Sequence, residues 1–331
     1  MNKTKTKNLN NFNSIRTLKF DNEYVSNIII LNDKRLCSCS NVGKLIIYNN
    51  NNYNPDIIID KNSLNFIGSN SYHTQLSNNN IVICSNDYLK GMIKIVKILQ
   101  DNKYTTIQEI FLENYAVNKV LEFNGDKLIT CCSEIKIWEK ENNNYICSNT
   151  ITISDDDIIN ILKINEKELV SCEEKHIKFL NIKNNFQLIT HFEFEEKELF
   201  ESRPTFTCSP NSMCLKDNYL FVGGRFYLSV LCFNIKNHQL IFCDEVKIFD
   251  IGYCIDNVNS IILLKNGNIL VGCHEIESSR DYLIECKLEN NEVIKANPKL
   301  GEHFSTILGM VELDNGIIIS CSEDKTIKFW E

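Results

Sequence analysis

The sequence predicts an all-β protein: a seven-bladed β-propeller of four-stranded antiparallel blades, closed by an N-terminal strand that completes the last blade. Three observations carry this. A segment recurs seven times, each copy is built from short apolar–polar alternations between turn residues, and the seventh copy has only three strands before the chain ends.

The recurring segment is clearest in IIISCSEDKTIKFWE, Ile317 to Glu331. Its counterparts are RLCSCSNVGKLIIY from Arg35, NIVICSNDYLKGMIKIV from Asn80, KLITCCSEIKIW from Lys127 and ELVSCEEKHIKFL from Glu168. More divergent copies are YLFVGGRFYLSVLCF from Tyr219 and NILVGCHEIESSRDYLIECK from Asn268. Each has an apolar pair, a small residue, a polar turn and an alternating strand. The first apolar residues are Leu36, Ile81, Leu128, Leu169, Leu220, Ile269 and Ile318, at steps of 45, 47, 41, 51, 49 and 49 residues. Self-similarity at this period marks a propeller or solenoid array.

An apolar strand ending in an Asn/Asp/Gly turn precedes these anchors, as in IIILNDKR at Ile28, VLEFNGDK at Val120, ILLKNGN at Ile262 and MVELDNG at Met310. A fourth, more polar strand follows: PDIIID at Pro55, TTIQEIFL at Thr105, TITI at Thr150, FQLITHFEF at Phe186 and QLIFCDEVKIF at Gln239. Short alternating runs of this kind argue antiparallel β-structure, and four per repeat argue propeller blades. The strand missing from the seventh unit is expected at SIRTLKF, residues 14–20, where it would cover an otherwise exposed edge. Residues 1–13 read as a flexible tail and 14–331 as one propeller, with no flanking helical domain expected. Asparagine runs such as YNNNNYN, from Tyr48, fall between the apolar segments and read as turns.

The segment SCSEDKTIKFW, Ser320 to Trp330, resembles the repeat signature of the WD40 family, and the chain from about Ser14 onward is compatible with that family. It departs in having no Trp-Asp dipeptide, since Trp138 and Trp330 are each followed by glutamate. The resemblance implies a protein-binding propeller and a structural hydrogen-bonded tetrad in the seventh blade: His303, Ser320, Asp324 and Trp330. The same Ser, His and Asp also make a nominal catalytic triad, but a turn carboxylate and a buried indole N–H both need partners, which favours the structural role.

Five of the fifteen cysteines, Cys39, Cys84, Cys131, Cys172 and Cys321, fall three residues after their anchors, where units five and six carry Gly223 and Gly272. They are expected to be small core fillers and free thiols in a reducing compartment, the cytoplasm, with the nucleus left open. No Cys/His spacing matches a zinc site, so no metal or other cofactor is expected. A net charge of −8 argues against a nucleic-acid partner, and no apolar run is long enough to insert in a membrane.

Function in such a ring lies in surface loops. Those joining a fourth strand to the next first strand, and a second strand to its third, emerge on one face. On that face EEKELFESRPTFTCSP from Glu195, GGRFY from Gly223 and HEIESSRDY from His274 stand out. Each carries one of the chain's five arginines, Arg203, Arg225 or Arg280. With Phe206, Phe226 and Tyr227, these define a candidate site for an acidic or phosphorylated peptide of a protein partner, with the chain expected as a subunit of a larger complex. The expected role is a non-catalytic scaffold or adaptor. The alternative is a propeller hydrolase using carboxylates at the central channel.

Overall fold

The computed structural model describes residues 14–20, 23–60, 69–86, 90–113, 115–153, 156–173, 175–184, 186–193, 210–224, 231–241, 255–275, 280–289 and 292–331. These form seven four-stranded antiparallel sheets, six of which run in chain order from inside to outside. The innermost strands are Val25–Ile30, Ser69–Gln75, Lys119–Glu122, Ile158–Lys163, Pro210–Lys216, Ile255–Leu263 and Ile307–Glu312. Each contacts the innermost strands of both neighbouring blades, all the way round, so the sheets close into a ring. No α-helix occurs among the described residues, and none there is long and apolar enough to cross a membrane.

The seventh blade is composite. Its three C-terminal strands, Ile307–Glu312, Ile318–Ser322 and Thr326–Trp330, are joined on the outside by Arg16–Lys19, with Leu18 opposite Ile327 and Arg16 opposite Phe329. Bonds from Ile15 N to Phe329 O and from Phe20 N to Lys325 O, each 2.9 Å, extend the pairing. Leu18 and Phe20 then pack into one cluster with Ile319, Ile327 and Phe329 of blade 7 and Val25, Ile28 and Tyr48 of blade 1. The edge is thereby satisfied by backbone hydrogen bonds and apolar burial together. The expected tail, residues 1–13, lies outside the described residues.

Crowding between blades explains the small residue on each second strand. Cys39, Cys84, Cys131, Cys172 and Cys321 are all fully buried. Cys172 Sγ lies 3.1 Å from Met213 Sδ on the next blade's inner strand. At Gly223 an added Cβ would stand 2.5 Å from Val258, and at Gly272 3.0 Å from Ile307, again on the following blade. Twelve described cysteines are free thiols. Burial pushes the thiol of Cys131 up to about 12, and those of Cys84, Cys172 and Cys321 also well above their ordinary value.

The turns follow their chemistry. In blades 1, 2, 6 and 7 the first hairpin closes by a bond from Lys34, Asn79, Gly267 or Gly316 N to the carbonyl three residues earlier. All four closing residues have positive φ, between 67° and 87°, the three-residue hairpin geometry that favours Gly and Asn. Asparagine side chains hold other turns, with Asn49 Oδ1 accepting from Asn51 N and Asn52 Oδ1 from Asn54 N at 2.9 Å.

Two expected elements shift. The fourth strand of blade 3 is Asn144–Ile151, not a short run at Thr150, because Asn142 and Asn143 both adopt positive φ and turn the chain two residues after Lys140. The long turn expected around His274 is mostly strand: the second strand of blade 6 runs Ile269–Glu275 and the third Arg280–Glu289, with Glu275 opposite Arg280. Side chains bridge this hairpin, since His274 Nδ1 and Asp281 Oδ1 lie 2.7 Å apart.

Candidate functional site

The connection from the outer strand of blade 6, Glu292–His303, into the inner strand of blade 7 lies beside the Glu323–Lys325 turn of blade 7. Here the four expected tetrad residues meet. Trp330 Nε1 donates to Ser320 Oγ at 2.8 Å, Ser320 Oγ lies 2.7 Å from His303 Nε2, and His303 Nδ1 lies 2.8 Å from Asp324 Oδ2. Asp324 also accepts from Phe304 N and Thr326 N, both at 3.0 Å, and from Thr326 Oγ1 at 2.5 Å. Gly301 makes room for the indole: a Cβ there would stand 2.6 Å from the Trp330 ring.

Electrostatics assigns the protons. Burial opposes ionisation of Asp324, but hydrogen bonds from His303, Thr326 and Phe304 N overcome it and hold the carboxyl far below its usual range. Burial keeps His303 from charging and lowers its pKa, against the pull of Asp324. A neutral imidazole beside a carboxylate carries its proton on Nδ1, so Nε2 accepts the Ser320 proton while Ser320 Oγ accepts the indole N–H. Every polar atom in the chain from core to turn is matched. Ser320 is fully buried and its oxygen is engaged by the indole, so no substrate carbonyl can reach it.

What this scaffold presents outward is Phe304, 65% exposed, directly after His303 and pinned through its N–H to Asp324. The Arg280 guanidinium and the Lys328 ammonium each lie 5.2 Å from its ring centroid, within cation–π range. Arg280 Nη1 pairs with Glu302 Oε1 at 3.1 Å, rather than with the neighbouring Asp281, and Lys328 Nζ donates to Glu302 O at 2.9 Å. Asp281 is instead buried, accepting from Ile307 N at 2.7 Å and facing His274.

Of the six residues expected to bind a partner, Arg280 is placed here, at the start of a strand rather than in a loop. Arg203, Phe206, Arg225, Phe226 and Tyr227 lie outside the described residues. Phe304 and Lys328 were not anticipated; the sequence signal was present only as an aromatic next to the tetrad histidine. Two inner-strand carboxylates, Glu122 and Glu312, serve the opposite ends of their blades. Glu122 accepts from Ser77 N at 2.7 Å and Ser77 Oγ at 2.8 Å, and Glu312 from Lys265 N at 2.6 Å, each latching a turn of the preceding blade.

No family model matches the chain, and no curated protein matches it. Solved structures do. The WD40 β-propeller domain of Doa1 superposes with a TM-score of 0.68 at 13% identity, covering 96% of each chain. A chain of the mitotic checkpoint complex superposes with a TM-score of 0.70 at 11% identity, covering 100% of this chain and 95% of that one. Identity this low speaks to fold alone, and on that evidence the chain has the seven-bladed propeller fold of the WD40 type.

Proposed function

We propose that the protein is a non-catalytic interaction scaffold that binds an anionic peptide of a protein partner, acidic or phosphorylated, on the face carrying Phe304. The observation behind this reading is the exposed Phe304 ring, with Arg280 and Lys328 each 5.2 Å from its centroid, on a hydrogen-bonded base. An aromatic with flanking cations supplies the apolar contact and the carboxylate- or phosphate-matching fork that interface hot spots use. Glu302 occupies Arg280 in the free protein, and a phosphate or carboxylate of the peptide would compete for the same guanidinium. Arg203, Phe206, Arg225, Phe226 and Tyr227 extend the proposed surface along the chain.

The test is affinity purification with mass spectrometry from the native source, comparing wild type with Phe304→Ala and with the triple variant Arg203→Glu/Arg225→Glu/Arg280→Glu. Both variants are first checked for an unchanged thermal transition. Selective loss of one partner from both supports the reading; an unchanged partner list in both rejects it.

A further inference from the structure

We propose that Asp156, Glu173 and His176, brought together at one end of blade 4, form a binding site for a divalent transition-metal ion of the zinc class. Asp156 stands just before the inner strand Ile158–Lys163, Glu173 ends the second strand Glu168–Glu173, and His176 opens the third, His176–Asn181. One ligand atom from each lies within 4.8 Å of the others.

The spacing is that of ligands rather than of a hydrogen-bonded cluster. His176 Nδ1 lies 3.6 Å from Asp156 Oδ2 and 3.7 Å from Glu173 Oε2, too long for hydrogen bonds. Ligands bound at 2.0–2.2 Å around a tetrahedral zinc ion stand roughly 3.4 Å apart, close to the His176–Asp156 separation; the Glu173 oxygen at 3.7 Å is the one Lys178 holds, and Oε1 is the oxygen left to ligate. Two atoms also await a partner. Glu173 is completely buried, yet its Oε1 makes no hydrogen bond among the described residues, and neither does the buried His176 Nδ1.

The surroundings fit a cation. Lys178 Nζ, which also donates to Ile153 O at 2.9 Å, binds Glu173 Oε2 at 2.7 Å and leaves Oε1 unused. On the far side of the ring, Glu193 Oε1 lies 3.8 Å from His176 Nε2, beyond hydrogen-bond distance but adding negative charge beside the imidazole. Among these described contacts, three carboxylates face one ammonium. One imidazole with two carboxylates suits zinc, manganese or ferrous iron better than magnesium, and three protein ligands leave a coordination position open.

The site involves blade 4, not the Phe304 surface, and its test needs no partner. The full-length chain, stripped with chelator, is titrated with Zn²⁺ by calorimetry, and the loaded protein is examined by X-ray absorption. One equivalent of zinc with a nitrogen/oxygen shell is expected. Asp156→Asn and His176→Ala should each weaken binding by about tenfold or more, without changing the melting temperature of the chelated protein. Asp156 is partly exposed, so Asp156→Asn decides the matter should His176→Ala fail to fold. No saturable binding, a sulfur shell from the cysteines, or unchanged affinity in Asp156→Asn overturns the proposal.

Discussion

Blades 4 and 7 share one backbone plan and fill it with opposite polar solutions. Leu169 faces Leu180 in blade 4 as Ile318 faces Trp330 in blade 7, so Ser171 and Ser320 occupy the same second-strand position. Ser320 Oγ has two partners, whereas Ser171 Oγ is buried with none among the described residues. Blades 1 and 3 lie between these extremes. In them Ser38 Oγ meets Tyr48 OH at 3.0 Å, and Thr130 Oγ1 accepts from Trp138 Nε1 at 3.0 Å. The hydroxyl position is therefore a feature of the repeat, while the network depends on whether the third strand ends in an aromatic donor and the preceding connection supplies a histidine. Low-dielectric surroundings make the complete network worth keeping and the incomplete one a liability.

That contrast can be broken most forcefully at Trp330. Trp330→Ala removes the indole from the blade 6–7 cluster and one of the two partners of Ser320, and should cost about 3–5 kcal/mol in chemical denaturation. A loss below 1 kcal/mol would mean that the last strand does not depend on its terminal ring.

A second test sets His73 against His303. His73 on the inner strand of blade 2 is fully buried, held by Asn27 and the Cys37 carbonyl, and burial lowers its pKa from 6.5 to about 4. A depressed value means that the unfolded chain binds the proton first. The stabilisation is complete above pH 6.5 and is lost as pH falls toward 4, by on the order of 3 kcal/mol. His303 is depressed in the same direction, so it adds to the loss. Denaturation followed across this window should show stability falling with acid, with a shallower slope in His73→Gln. Equal slopes would assign the effect elsewhere.

Ser320→Ala should destabilise by about 1–3 kcal/mol, because it leaves the indole N–H and His303 Nε2 buried without their shared partner. The matching Ser171→Ala removes an unpartnered hydroxyl and should be neutral or stabilising by about 1 kcal/mol. If both substitutions destabilise equally, the difference between the blades is not energetic.

The blades were legible because their information is local. Apolar anchors, alternation and Asn/Gly turns each occupy a few residues, and repetition compensates for weak copies, so even YLFVGGRFYLSVLCF is read as a unit by its neighbours. The tetrad was legible for the same reason, since its four members fall at repeat-defined positions around one hairpin. Boundaries were less so where a turn could be placed in two ways. Asn142–Asn143 closes blade 3's outer hairpin with consecutive left-handed residues, a choice that the run ENNNY, Glu141 to Tyr145, does not single out.

By itself the sequence determined the blade count, the closure of Thr326–Trp330 by Arg16–Lys19 and the need for small residues at the cysteine positions, all consequences of strand period and repeat length. Only the tertiary structure decided which side chains meet across turns and between blades. Arg280 reaches Glu302 and Phe304 instead of Asp281, and Asp156 approaches His176 across another hairpin. Such encounters depend on turn length, strand twist and the competition for each buried proton, and no local pattern encodes them.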